Sequence, residues 1–176
     1  MRIKPLFLAA PLFAAACLAA PQASADNGTI TFNGQLTDST CEVRGGMTGS
    51  PSFSVQLPTI SAASLAPGET LGHTFFRMEL QNCAAVANGV KAYFESGSTV
   101  DPNLGTLPTN LTGVHLALFD ADSTPIDIGS EAQRTDNTLY QPGDAMHYQV
   151  AYRNVGAVPA TPGLLAANAT YSLHYP

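Results

Sequence analysis

The chain has 176 residues, of which 45% are hydrophobic and only 11% are charged, and its formal net charge at pH 7 is −6. Binding to nucleic acid requires a basic surface that displaces counterions, so this acidic chain is not expected to bind DNA or RNA. The length fits one domain with one hydrophobic core and leaves little room for two.

The first 25 residues have the pattern of a secretory signal peptide. Arg2 and Lys4 precede an apolar, alanine-rich stretch that extends to Ala20, and the small residues Ala23, Ser24 and Ala25 end the segment. We expect cleavage after Ala25. This cleavage removes two basic residues and no acidic residue, so the net charge changes from −6 to −8.

Two alternatives remain open for this segment. A signal anchor would stay in the membrane, but Pro5, Pro11 and Pro21 interrupt the stretch, which is short for a bilayer span. A lipoprotein would be cleaved before Cys17, but that position lacks the usual leucine three residues earlier. Both alternatives fit the residues less well than general secretion does.

Removal of the signal peptide leaves Cys41 and Cys83 as the cysteines of the mature chain. Two cysteines in an oxidising compartment allow one pairing, so we predict a Cys41–Cys83 disulfide. A zinc or redox site is a weaker interpretation, because the chain has no C-x-x-C motif and no histidine at ligand spacing from either cysteine.

The mature sequence predicts an all-β fold. Glycine and proline interrupt it throughout, and its apolar residues recur with a period close to two. The turn-rich stretches Ser96–Asn110 and Ser123–Pro142 are predicted to be loops, each with about one short strand. Seven strands indicate an immunoglobulin-like sandwich. They are predicted at about Thr29–Leu36, Ser52–Leu57, His73–Asn82, Val90–Glu95, Val114–Phe119, Met146–Tyr152 and Ala167–Tyr175.

Both ends of the mature chain alternate between apolar and polar residues. Near the new N-terminus, Ile30, Phe32, Gly34 and Leu36 share one face of a strand, and that face favours burial. Periodicity alone would make this segment an ordinary first strand of the sandwich, and that alternative stays open. At the other end, the predicted final strand reaches the last residues of the chain, which leaves an apolar edge without a following strand.

These residues resemble the pilin subunits of chaperone-usher fimbriae, a family that includes the type 1 fimbrial major subunit. A glycine stands fourteenth from the C-terminus, at Gly163, and an aromatic residue is penultimate, at Tyr175, as in that family. The segments that carry the resemblance are Gly28-x-Ile30-x-Phe32-x-Gly34-x-Leu36 before Cys41, Phe76-x-Met78-x-Leu80-x-x-Cys83, Thr161-Pro162-Gly163 and Ala169–Pro176.

The resemblance implies an incomplete immunoglobulin-like sandwich that lacks its last strand and is completed by a donated strand. Residues 26–40 would form the donor extension, and residues 41–176 would form the pilin domain. The donor side chains would be Ile30, Phe32, Gly34 and Leu36. The acceptor edge, which would also bind the chaperone, would comprise Gly163, Tyr171, Leu173, Tyr175 and Pro176.

The resemblance also implies partners and a location. The partners would be neighbouring pilin subunits, a periplasmic chaperone and an outer-membrane usher. The chain would pass through the periplasm into a fimbria on the bacterial surface, and the assembled fibre could support adhesion to a host receptor.

No catalytic or metal-binding pattern is visible in the sequence. His73, His115, His147 and His174 lie far apart, and no nucleophile has a recognisable base beside it. We therefore expect a structural subunit without enzymatic activity and without a cofactor. Two other classes stay open. One is a minor adaptor or tip-associated pilin that binds a receptor, and the other is a small secreted enzyme or binding sandwich.

Overall fold

A computed structural model of the chain describes residues 40–46, 49–84, 86, 88–135 and 138–176. The chain divides into two units, Met1–Leu36 and Thr37–Pro176, and every described residue belongs to the second. The predicted signal peptide and the predicted strand Thr29–Leu36 therefore lie outside the described residues. No helix in the described ranges combines the length and apolar character needed to cross a membrane.

The described residues form two antiparallel sheets. Their strands are β1 Glu42–Gly45, β2 Thr70–Gln81, β3 Lys91–Phe94, β4 Leu107–Pro108, β5 Val114–Asp120, β6 Pro125–Ile126, β7 Ala145–Asn154 and β8 Tyr171–His174. The larger sheet has the order β1-β2-β7-β5-β4, and β6 pairs with β5; the smaller sheet pairs β3 with β8. A 3-10 turn at Ala62–Ser64 and a single helical turn, α1, at Ala132–Thr135 complete the secondary structure of the described residues.

The core lies between the two sheets. Met78 of β2 and Met146 of β7 are opposite each other in the register and are fully buried. The ring of Phe94, from the smaller sheet, meets the ring of Tyr148 edge-on, with 5.1 Å between their centroids. Because alternate side chains of a strand point to opposite faces, the apolar period of two read from the sequence places these residues on the inner faces.

A glycine makes the bend in β2 possible. The register of β2 against β7 shifts between Leu71 and Thr74, and Gly72 in this bulge has a φ of 73°. A β-carbon at position 72 would lie 2.8 Å from Cδ2 of Tyr152. Both the backbone angle and the close approach therefore require glycine here.

The all-β prediction and four of the predicted internal strands are confirmed. Those strands become β2, β3, β5 and β7, with ends that differ by a few residues. The two turn-rich stretches carry β4 and β6, as expected. Strand β1, with the sequence EVRG directly after Cys41, was not predicted, because four residues ending in glycine give too little alternation to recognise.

Two strand predictions need correction. Ser52–Leu57 does not form a strand: within the described residues it pairs with no ladder, although Phe53, Val55 and Leu57 pack against the core. The predicted strand Ala167–Tyr175 is regular only at Tyr171–His174. In both places the alternation reports a half-buried face, but strand assignment also requires a hydrogen-bonded neighbour.

A disulfide joins Cys41, just before β1, to Cys83, just after β2, across a separation of 42 residues. Replacing both cysteines by serine should lower the free energy of unfolding by about 4 kcal/mol, because the cross-link no longer restricts the unfolded chain. Chemical denaturation of the oxidised mature chain measures this loss. Ser98→Ala, at an exposed turn residue, is the control, and an unchanged midpoint in the double variant would contradict the expectation.

Candidate functional site

A long apolar groove opens between the two sheets. Its volume is about 1420 Å³, and two segments without regular strand structure, residues 51–60 and residues 160–170, form its walls together with β8. The floor consists of core side chains from five strands. They are Phe76, Met78, Phe94, Leu107, Leu116, Leu118, Val150 and Tyr152. The floor of the groove is therefore continuous with the hydrophobic core.

Two tyrosines hold the wall formed by residues 51–60. The hydroxyl of Tyr171 in β8 donates to the carbonyl oxygen of Pro51 at 2.8 Å, and that of Tyr152 in β7 donates to the carbonyl oxygen of Pro58 at 3.0 Å. Burial raises the pKa of both phenols, so they stay protonated as hydrogen-bond donors to higher pH. The wall is therefore fixed near both ends by side chains instead of by a β-ladder.

The opposite wall contains Gly163, where the family resemblance placed a characteristic glycine. A β-carbon at position 163 would lie 2.7 Å from Cδ2 of Leu111, so this backbone packs directly on the leucine. The neighbouring Leu164 is 93% exposed. Further along the wall, Leu165 and Ala167 are half-buried against the core.

Strand β8 continues this wall and has one edge on the groove side. Its register with β3 pairs Phe94 with Tyr171 and Tyr93 with Ser172, and the Glu95 amide donates to the Thr170 carbonyl at 2.9 Å. In an antiparallel pair the backbone groups of alternate residues point to the same edge. Residues 170, 172 and 174 therefore face β3, and the backbone groups of Tyr171 and Leu173 face the groove. Among the described residues, β8 has no second strand partner.

The C-terminus is tied to the start of the described domain. The hydroxyl of Tyr175 accepts a hydrogen bond from the amide of Cys41 at 2.8 Å, and the side-chain amide of Asn88 donates to the Pro176 carbonyl at 3.3 Å. The Ala84 amide donates to the Thr40 carbonyl at 2.8 Å, beside the disulfide. The C-terminal end of this wall thus lies beside Cys41 and the disulfide.

The predicted acceptor residues come together along one wall. Gly163, Tyr171 and Leu173 line the groove, and Tyr175 and Pro176 follow at its end. The predicted donor residues Ile30, Phe32, Gly34 and Leu36 lie outside the described residues. Sequence reasoning did not identify the wall at residues 51–60, nor Leu111, Tyr152 and Asn110, which position the walls. The alternation of Phe53, Val55 and Leu57 was the sequence signal available for the wall at residues 51–60, and it was interpreted as a strand.

The histidines occupy separate places in the fold. His73 Nδ1 lies 3.2 Å from the Gln149 side-chain oxygen, and His115 Nδ1 lies 2.8 Å from the Thr106 hydroxyl. Burial lowers the pKa of His115 and of His174, and the nearby Arg134 and Lys91 lower that of His174 further. Within the described ranges, no three His, Cys, Asp or Glu side chains cluster closely enough to hold a metal ion.

The family model described as "Fimbrial protein" matches residues 30–176. The chain belongs to the fimbrial protein family. It is 37% identical over 177 residues to the major fimbrial subunit SMF-1 of Stenotrophomonas maltophilia (strain K279a), a match that covers 93% of this chain and 99% of that protein. It is 33% identical over 174 residues to the F17 fimbrial protein of Escherichia coli, covering 90% of this chain and 94% of that protein.

A solved structure of a chaperone-usher pilus gives the same fold. Its subunit is 26% identical to this chain, with a TM-score of 0.59, and the match covers 89% of this chain and all of that one. This fimbrial subunit therefore has the incomplete immunoglobulin-like sandwich predicted from its sequence, and it is a structural subunit of a chaperone-usher pilus. Such a subunit is secreted through the periplasm and forms part of an extracellular fimbria.

Proposed function

We propose that this fimbrial subunit polymerises by strand exchange, with the groove beside β8 accepting residues 26–40 of the next subunit. The observation that carries the proposal is the groove itself, because an apolar floor lies next to a strand whose backbone groups at Tyr171 and Leu173 have no strand partner in the described part of the chain. Adding an extended segment to such an edge is β-augmentation, in which main-chain bonds give affinity and alternate side chains fill the groove.

Residues 26–40 have the chemistry that the groove requires. Ile30, Phe32 and Leu36 alternate with polar residues, so an extended segment presents all three to the apolar floor. Burying these side chains stabilises the joint by about 1.5–3 kcal/mol each, before the backbone ladder is counted. Gly34 adds no apolar area, and we assign it to a position where the donor backbone approaches the groove closely.

Before assembly, the groove is a hazard, because the edge of β8 that has no strand partner among the described residues can pair with another chain and aggregate. A periplasmic chaperone that supplies a temporary strand would cover it, and exchange at an outer-membrane usher would replace that strand with the donor extension of the next subunit.

This proposal assigns a role to each part of the chain. Residues 1–25 direct secretion, residues 26–40 donate, and residues 41–176 fold and accept. Strand exchange makes and breaks only non-covalent contacts, so the proposed function requires neither catalysis nor a cofactor. Adhesion would be a property of the assembled fibre, which carries many copies of the surface described here.

A synthetic peptide with residues 26–40 tests the proposal. Added to the complex of the full mature chain with its chaperone, the peptide should fill the groove and release the chaperone, as native mass spectrometry would show. The matched control is the same peptide with Phe32→Asp, because a charge cannot be buried in the apolar groove without a large cost. Retention of the chaperone at saturating wild-type peptide would contradict the proposed groove.

A further inference from the structure

The smaller sheet has two edges, and the one on β3 is closed by a side chain. At Phe94 the backbone amide donates to Oε1 of Gln133 at 3.0 Å, and the Phe94 carbonyl accepts from Nε2 of Gln133 at 3.1 Å. The amide of Gly129 also donates to the Phe94 carbonyl at 2.9 Å. A glutamine side chain carries the same donor and acceptor as a peptide group, so Gln133 stands where the next strand would pair.

The other end of the same edge is closed by main chain. Val90 and Tyr140 exchange two backbone hydrogen bonds, each 2.9 Å long. Since alternate residues direct their backbone groups to one edge, Val90 and Phe94 both face away from β8. An incoming strand would have to displace these bonds at both ends of β3.

A second side-chain amide binds the main chain of the wall that precedes β8. The Asn110 side chain donates from Nδ2 to the Leu164 carbonyl at 2.9 Å, and its Oδ1 accepts from the Ala166 amide at 3.0 Å. Asn110 thus holds the groove wall with the same donor and acceptor that Gln133 offers to β3, and it belongs to the groove rather than to the outer edge.

Further hydrogen bonds hold the Gln133 side chain in its position beside Phe94. Its Nε2 also donates to the Asp127 carbonyl at 2.9 Å, and its own backbone amide donates to the Ser130 carbonyl at 3.2 Å. The next residue, Arg134, stacks over the ring of Tyr93 in β3 with 4.0 Å to the centroid. Gln133 and Arg134 thereby fix the turn α1 to β3.

We propose that Gln133 is an edge cap that confines strand addition in the smaller sheet to the groove edge of β8. The inference rests on the proposed function and extends it by naming a residue that determines its direction. A smaller sheet with two open edges could accept two strands and branch the fibre. With the outer edge of β3 closed by Gln133 and by the Val90–Tyr140 pair, the smaller sheet accepts one donor, and the fibre grows along a single path.

The test uses the full mature chain as its chaperone complex, with Gln133→Ala; Asn110 stays unchanged because it positions the groove wall. Excess peptide with residues 26–40 fills the groove, so wild-type subunits should stop associating in light scattering. The Gln133→Ala variant should keep associating several-fold faster than wild type under the same peptide, because the Phe94 amide at the outer edge of β3 loses its side-chain partner. Electron microscopy should show branched or laterally joined fibres. Asn103→Ala, at an exposed loop asparagine, is the matched control.

A conservative variant keeps the test decisive if the alanine variant does not fold. Gln133→Glu preserves size but places a carboxylate against the carbonyl oxygens of Phe94 and Asp127, which releases the side chain from the edge, so association that resists the peptide should again exceed wild type. If the peptide stops both variants as completely as wild type, the edge-cap inference is wrong and the groove proposal stands. If the peptide does not slow even wild-type association, the groove proposal fails, and this inference fails with it.

Discussion

Deletion of residues 26–36 is expected to give a subunit that folds, binds its chaperone in wild-type amounts and caps fibres instead of extending them. The described residues begin at Thr40 and contain the disulfide, the core cluster and both walls of the groove, so the deletion leaves the residues that form these features in place. The deleted subunit can still receive a donor strand but has none to give. Electron microscopy of cells that express both forms should show fibres that shorten as its share rises.

A single substitution should reproduce the donor defect. Phe32→Asp places a charge on the apolar face of the extension, where desolvation of an unpaired carboxylate costs more than the remaining side chains offset. Thr31→Asp is the matched control, since it adds the same charge on the polar face of the same strand. Fibres of normal length from the deletion variant would show that residues 26–36 are not the donor, whereas loss of the folded subunit would favour an internal strand, the alternative that periodicity alone favours.

The sandwich could be predicted because most of its longer strands show an apolar period of two within their own sequence. In β2, β5 and β7 apolar residues recur with a period of two and pack on the core, and β5 and β7 also bury Ala117, Phe119 and Ala151 in a second, smaller cluster. The Cys41–Cys83 pairing followed from the count of cysteines in the mature chain. The acceptor residues Gly163, Leu173 and Tyr175 came from the family resemblance, and no period in the sequence distinguishes them from an ordinary final strand.

The walls of the groove could not be predicted, because they depend on contacts between distant parts of the chain. Tyr152 and Tyr171 fix the wall at Pro58 and Pro51, which are 94 and 120 residues away in sequence. Residues 52–57 alternate as a strand does, but alternation reports only which side chains are buried and not whether the backbone has a partner. The amide contacts of Gln133 likewise form only when the complete fold brings α1 against β3.

Leu173→Asp should produce the opposite defect, a loss of soluble subunit before any fibre forms. Leu173 is half-buried against the core and pairs with Ala92 across the smaller sheet. An ionised carboxylate there faces apolar neighbours, and the cost of its desolvation is of the order of several kcal/mol, a large share of the stability of an ordinary domain. The groove would lose its shape together with its apolar floor, so neither a chaperone strand nor a donor strand could bind.

Asn168→Asp is the control that separates the loss of apolar packing in Leu173→Asp from the effect of charge alone. It adds one carboxylate at an exposed residue of the same wall. Quantitative pull-down of the chaperone from the periplasm should recover wild-type amounts of the Asn168→Asp subunit and little of the Leu173→Asp subunit. The donor deletion should be recovered fully in the same assay, although it fails to extend fibres. Donor and acceptor defects would then separate into two steps, capture by the chaperone and elongation of the fibre. Equal recovery of the Leu173→Asp and Asn168→Asp subunits would show that β8 is not the edge on which capture depends.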